Sequence, residues 1–254
     1  MAGHSKWANI RHKKSREDRR RAKIFGKLVR EITVAARLGG GDPETNPRLR
    51  TAIQAAKDEN MPSENIERAI KKGTGDLEGE AYEDFTYEGY GPGGAAILIE
   101  GLTDNRNRTA AELRHIFSKK GGDLAESGAV AWQFERRGLV TLPKQDLGEE
   151  RLTELLIEVG AQDFEDAGDV WVITTDAEDL HTVADGLEDR GVEVKKSELV
   201  MIPQAEVELD DGSARRVGNL LDSLDDHDDV QKIWTNVDPE VLSAPDGSST
   251  GRAG

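Results

Sequence analysis

The chain has 254 residues, no cysteine and a formal charge of −16, with charged residues at 33% and aromatic residues at only 5%. The lack of cysteine excludes disulfides, thiolate zinc sites and cysteine nucleophiles, and fits a reducing compartment. No apolar run approaches the ~18 residues a membrane span needs, and the length suits two or three domains with small aliphatic cores.

The charge is unevenly placed. Residues 1–37 hold twelve bases and three acids, so this stretch carries +9 and the remainder −25. Residues 1–14 read as a flexible arm. It has no apolar stretch behind its charges, so it is not a secretory signal, and Gly3, Trp7 and Asn9 set it apart from a transit peptide; the cytoplasm is the expected location. Ser15 with Asp18 forms a capping-box-like start. The predicted helix that follows carries Ile24, Leu28 and Ile32 at spacing four, with Phe25 and Val29 beside them, while Arg16, Arg20, Lys23, Lys27 and Arg30 line a second face. It should dock by one side and show cations on another, ending at Gly39–Gly41.

Asn46-Pro47 opens a second helix, with Leu49, Ala52, Ile53 and Ala56 facing inward. Ser63 is expected to cap a third, whose inner face is Ile66, Ala69 and Ile70 and which Gly73 closes. After a Gly/Asp/Glu linker the pattern turns to strands. Ala95–Ile99 is a strand-length apolar run, Thr109–Lys120 a helix, and Ala129–Phe134 a further strand. Gly138–Leu142 then begins a new unit before the first is finished. It continues with a helix at Glu149–Val159, strands at Asp163–Asp166 and Val170–Thr174, a helix at Ala177–Arg190 and a strand at Val192–Val200. That βαββαβ order is the ferredoxin-like pattern. Glu206–Leu209, the helix Ala214–Leu224 and the strand Val230–Asn236 would complete the interrupted unit. The expected fold is α+β: an N-terminal three-helix domain (residues 1–78), then two ferredoxin-like α/β domains, the second (137–202) inserted in the first (79–136 plus 203–240). Residues 241–254 have a disordered composition.

A segregated basic block on an acidic chain fits an anionic polymer, most commonly a phosphate backbone. Lys6, Arg11, Lys13, Lys14, Arg16, Arg20, Lys23, Lys27 and Arg30 are the candidate phosphate contacts. His4, Trp7 and His12 are candidate stacking or base-edge groups, since flat rings among cations suit unpaired bases; Trp7 could equally anchor on the bundle. Arg106, Arg108, Arg114, Lys119 and Lys120 form a second cationic group, open between nucleic-acid contact and ordinary ion pairing. The Gly-rich stretch Tyr87–Gly94 lacks the strand-before, helix-after setting of a dinucleotide loop and the Lys-Ser/Thr of a P-loop, so it reads as a turn entering a strand. No two of the five histidines share metal-ligand spacing. Asp225-Asp226-His227-Asp228-Asp229 lacks the glycine and spacing of a calcium loop and reads as a solvated turn. No catalytic constellation is present, so a non-enzyme without a cofactor is expected.

The segments AGHSKWANI (2–10), KIFGKLVREITVAAR (23–37), GGGDPETNPRLRTAIQAAKDENMPSENIERAIKKG (39–73), YEGYGPGG (87–94) and LTDNRNRTAAELRHIFSKKGG (102–122) resemble the YebC/PmpR family. The resemblance covers nearly all of residues 1–240 and implies a helical bundle followed by two α/β domains. It also implies a transcriptional regulator that binds DNA. A second implication comes from family members that act on translation, including a mitochondrial translational activator of cytochrome c oxidase subunit I and bacterial proteins that relieve ribosome stalling at proline runs. The expectation is therefore a monomeric nucleic-acid-binding regulator, with DNA as partner or, alternatively, ribosomal RNA on the ribosome. No helix-turn-helix recognition element is evident, and the arm has few Asn/Gln base readers.

Overall fold

The computed structural model describes residues 17–78, 81–144, 147–161 and 163–243. Helices α1 (Glu17–Gly39), α2 (Pro47–Asp58) and α3 (Ser63–Thr74) come first. The apolar stripe of α1 closes on the inner faces of α2 and α3 around Ile32, Ala35, Ala36, Leu49, Ala52, Ala56, Ile66 and Ala69. Small residues set the spacing: a Cβ at Gly73 would lie 2.4 Å from the carbonyl oxygen of Thr33. Asn46 joins two helix ends. Its Oδ1 accepts from Leu49 N as the N-cap of α2, and its Nδ2 donates to the carbonyls of Ala35 and Gly40 at the end of α1, each at 2.8 Å. Ser63 differs from expectation: it is the first residue of α3, and Pro62 holds the cap position with no side-chain hydrogen bond. The C-cap is Gly75, at φ 88°, one residue beyond Thr74.

The first sheet contains β1 (Glu83–Tyr90), β2 (Ala96–Thr103), β3 (Asp123–Ala125) and β8 (Val230–Thr235), in the order β3-β1-β2-β8 and antiparallel throughout. Helices α4 (Arg106–Lys119) and α7 (Asp211–Asp225) cover one face, with Phe85, Ile97 and Ile99 packed against Leu113, Phe117, Leu220 and Leu224. Between β3 and β8 the chain builds the second sheet. Its elements are β4 (Phe134–Pro143), α5 (Glu149–Val159), β5 (Asp163–Asp166), β6 (Val170–Asp176), α6 (Leu180–Glu188) and β7 (Lys196–Pro203), ordered β5-β6-β4-β7. This is the ferredoxin-like order, and the first sheet has the same arrangement with β1 displaced to the front of the chain. The short helix α8 (Pro239–Ser243) follows β8. The helix-free faces of the two sheets meet at Trp234, which packs on Ala96, Leu98 and Phe134 on one side and on Leu139, Val172 and Val200 on the other.

Two further expectations are corrected. Tyr87–Tyr90 lies in strand β1, and only Gly91–Ala95 forms the turn into β2, with Gly93 and Gly94 at positive φ. Ala129–Phe134 is not a strand: a 3-10 turn occupies Ala131–Gln133, and β4 runs unbroken from Phe134. The buried Glu88 carboxylate explains this, because it takes the N–H groups of Gly128, Val130 and Ala131 that a ladder would use. Glu206–Leu209, which the sequence placed in the first unit without an element type, is irregular and is joined to the end of β8 by Val207 N donating to Asn236 O.

Gly101 marks a close approach. The β2–β8 register shifts there, and Leu102 N donates to Asp229 O at 2.9 Å. A Cβ would fall 2.2 Å from that oxygen and 2.3 Å from the Phe85 ring. Gly101→Ala is expected to cost about 2–3 kcal/mol through forced backbone and ring shifts, read as a lower urea midpoint with an unchanged m-value.

Candidate nucleic-acid interface

His4, Lys6, Trp7, Arg11, His12, Lys13, Lys14 and Arg16 lie outside the described residues, as does the side chain of Arg20. Lys23, Lys27 and Arg30 are described. Their spacing of four and three puts them on one line along α1, and that line faces the turn between α7 and β8. Lys23 Nζ lies 2.9 Å from Asp226 Oδ1 and also donates to the Asp226 carbonyl. Lys27 Nζ lies 3.0 Å from Asp225 Oδ1 and donates to Asp225 O at 3.1 Å. Arg30 donates to the Asp228 carbonyl, and its Nη1 lies 3.5 Å from Asp229 Oδ1. Its guanidinium also sits 5.5 Å from the centroid of the Tyr82 ring. The acidic run singled out in the sequence is thus a turn facing cations. His227 Nε2 is 2.8 Å from Glu112 Oε2, and among the described residues no cluster of His, Asp and Glu could hold a metal ion.

The turn is anchored at its buried end. Asp229 is 3% exposed, and its Oδ2 lies 2.6 Å from Arg108 Nη2, 2.7 Å from Thr109 Oγ1 and 3.2 Å from Thr103 Oγ1. Burial by itself raises the Asp229 pKa. The hydrogen bonds from Thr109 and Arg108 and the charge of Arg108 outweigh it, so the carboxyl sits below the ordinary aspartate range. The reciprocal hydrogen bond holds Arg108 above its usual value against a smaller burial penalty.

The second cationic group divides. Arg106 pairs with Glu83 at 2.9 Å and donates to Asp84 O. Arg108 pairs with Asp104 as well as Asp229. Arg114 and Lys119 are exposed on α4, and Lys119 and Lys120 line a shallow groove with Gly121, Arg216 and Asn219. Lys119 and Lys120 lie at the negative C-terminal end of α4, where cations stabilise the helix itself. Three structural residues were not found from the sequence. Arg48 ties α1 and α2 to β1 through Glu31 and Asp84, each at 2.7 Å. Glu88 and Asp229 are buried carboxylates whose partners no local pattern marks. No described helix is long and apolar enough to cross a membrane.

Comparison with known proteins places this architecture. Residues 5–76 match the TACO1/YebC protein N-terminal domain, and residues 82–237 match the TACO1/YebC second and third domain. A protein of Desulfosudis oleivorans named "Probable transcriptional regulatory protein" is 55% identical over 237 residues, 93% of this chain and 96% of its own. A protein of Halothermothrix orenii with the same name is 55% identical over 241 residues, 94% of this chain and 95% of its own. The crystal structure of a conserved hypothetical protein of Aquifex aeolicus superposes with a TM-score of 0.80 at 50% identity, covering 91% of this chain and 96% of that one. Match along both segments and identity above one half lead to one assignment: the chain belongs to the TACO1/YebC family.

Proposed function

We propose that this chain is a non-enzymatic, monomeric, cytoplasmic regulator of gene expression that binds nucleic acid through its N-terminal segment. In this reading residues 1–78 form the binding unit, and the two sheets, as an acidic pair of domains (79–136 plus 203–240, and 137–202), carry it. The observation that supports it most is the charge split: +9 in residues 1–37 against −25 in the rest. Arg and Lys at that density release counterions from a phosphate backbone, the main source of affinity for such polymers. The names of the relatives favour transcription, hence duplex DNA as the partner. Ribosomal RNA is the second reading, favoured by Trp7, His4 and His12 among the arm's cations, a composition suited to splayed bases. Arg106, Arg108, Arg114, Lys119 and Lys120 would give a second, weaker contact.

Crosslinking in cells, followed by sequencing of the bound nucleic acid, separates the two. Promoter DNA supports the first reading, and ribosomal RNA supports the second. Replacing Arg16, Arg20, Lys23 and Lys27 by Glu is expected to weaken binding of either polymer by about three orders of magnitude at moderate salt with the circular dichroism unchanged. Retained binding would reject the N-terminal segment as the site.

A further inference from the structure

The cation line of α1 does not face open solvent. The side chains of Lys23, Lys27 and Arg30 are only 24%, 15% and 22% exposed, whereas those of Asp226 and Asp225 are 84% and 74% exposed. The turn therefore covers the cations while its own outer carboxylates stay in water. It also presents what a phosphate strand presents: successive anionic oxygens and carbonyl acceptors along one helix face. We infer that the Asp225 and Asp226 carboxylates of this turn are an internal mimic of the polyanion, seated on Lys27 and Lys23 in the free protein and displaced when nucleic acid binds there. The inference rests on the proposed nucleic-acid function.

The two ends of the turn make it a latch rather than a fixed wall. Asp229 is clamped by Arg108, Thr109 and Thr103, and α7 holds the other end, so the carboxylates of Asp225 and Asp226 can leave α1 without unfolding either anchor. They are also poorly at ease together. Asp222 lies close by, and burial and the charges of Asp226 and Asp225 push its carboxyl up, with Lys120 opposing. All three acids crowd the negative end of α7. Cations of α1 relieve that repulsion in the free protein. An incoming strand must supply more negative charge density than the turn does, which favours polyanions over isolated phosphates.

Two signatures follow. Exposed ion pairs of this kind are individually weak, so neutralising two of them is expected to tighten binding by roughly tenfold at low salt. Moreover, cations already paired inside the protein release fewer counterions on binding. Releasing two of them from these carboxylates steepens the slope of log K against log salt by about 1.5, at 0.7–0.9 per phosphate. The test uses the full chain with a fluorescein-labelled RNA hairpin and a labelled duplex DNA, by fluorescence anisotropy over a KCl series. The Asp225→Asn/Asp226→Asn variant keeps the backbone carbonyls and is compared with Glu178→Gln/Glu188→Gln, exposed acids before and at the end of α6 that change the net charge equally. The first pair is expected to give the tenfold gain and steeper slope, and the control less than about twofold, because distant charges are screened. Adding Lys23→Ala/Lys27→Ala to the Asn variant is expected to erase the gain, a coupling that general charge effects do not produce. A gain equal to the control, weaker binding, or no coupling to Lys23 and Lys27 overturns the latch while the proposed function stands. If wild type binds neither probe, the proposed function itself fails and the latch with it.

Discussion

Asp229→Ala is expected to destabilise the chain by about 3–4 kcal/mol, the scale for removing one partner from a buried ion pair. One oxygen, Oδ2, faces Arg108 Nη2 at 2.6 Å, Thr109 Oγ1 at 2.7 Å and Thr103 Oγ1 at 3.2 Å. Those hydroxyls also order the start of α4: Asn105 N donates to Thr103 Oγ1 at 2.9 Å, and Asn105 caps the helix by accepting from Arg108 N. Alanine takes this shared acceptor from both threonines, which keep their mutual hydrogen bond at 2.7 Å, and leaves Arg108 with Asp104 at 2.9 Å and Glu112 at 3.9 Å. Urea unfolding measures the loss. The pH dependence has a definite sign. The folded pKa lies below the ordinary value of ~3.9, so the carboxylate's contribution is complete above that unfolded value and disappears as pH falls through the folded one. The gap between wild type and variant should therefore be constant near neutrality and narrow below about pH 4. A gap that widens on acidification would contradict the assignment.

Glu88→Ala is expected to cost about 3 kcal/mol. The carboxylate is 4% exposed and accepts from Gly128 N at 2.6 Å, Val130 N at 2.7 Å and Ala131 N at 2.8 Å. Each buried N–H left without an acceptor costs about 1–3 kcal/mol, less where water can enter at the exposed side of the loop. Burial raises the Glu88 pKa, but the three backbone hydrogen bonds lower it further, so it sits below the ordinary range and loses its contribution in acid with the same sign as Asp229. Hydrogen exchange gives the local readout: the amides of Gly128, Val130 and Ala131 should lose protection in the variant before β1 and β2 do. Glu88→Gln keeps one acceptor oxygen and should fall between wild type and alanine. Unchanged protection in Glu88→Ala would show that the loop is held by something other than this carboxylate.

Much of the architecture is legible in residue order. The α1 stripe at Ile24, Leu28 and Ile32, the Asn46-Pro47 start of α2 and the alternation of strand and helix patterns from Ala96 to Pro203 are local signals, set by helix and strand periods within a few residues. The ferredoxin-like order of the second sheet follows from them because short connections leave few ways to arrange βαββαβ. Strand β1 was obscured because Glu88 and Gly89 sit where an apolar residue would mark a strand. Glu88 is buried by its hydrogen bonds to residues 128–131, and the Phe117 ring would come within 2.5 Å of a Cβ at Gly89. Neither reason lies near it in sequence.

Composition and periodicity alone determined that the chain gathers positive charge at its head and folds from helices and two α/β units, one built between strands of the other. They did so because charge count and hydrophobic period are properties of neighbouring residues. Only the tertiary structure decided what those cations touch. Lys23 and Asp226 are 203 positions apart, and Lys27 and Asp225 are 198 apart. No period links them. They meet because α7 ends beside α1 and because Asp229, gripped by Arg108 and two threonines, sets the path of the turn between them.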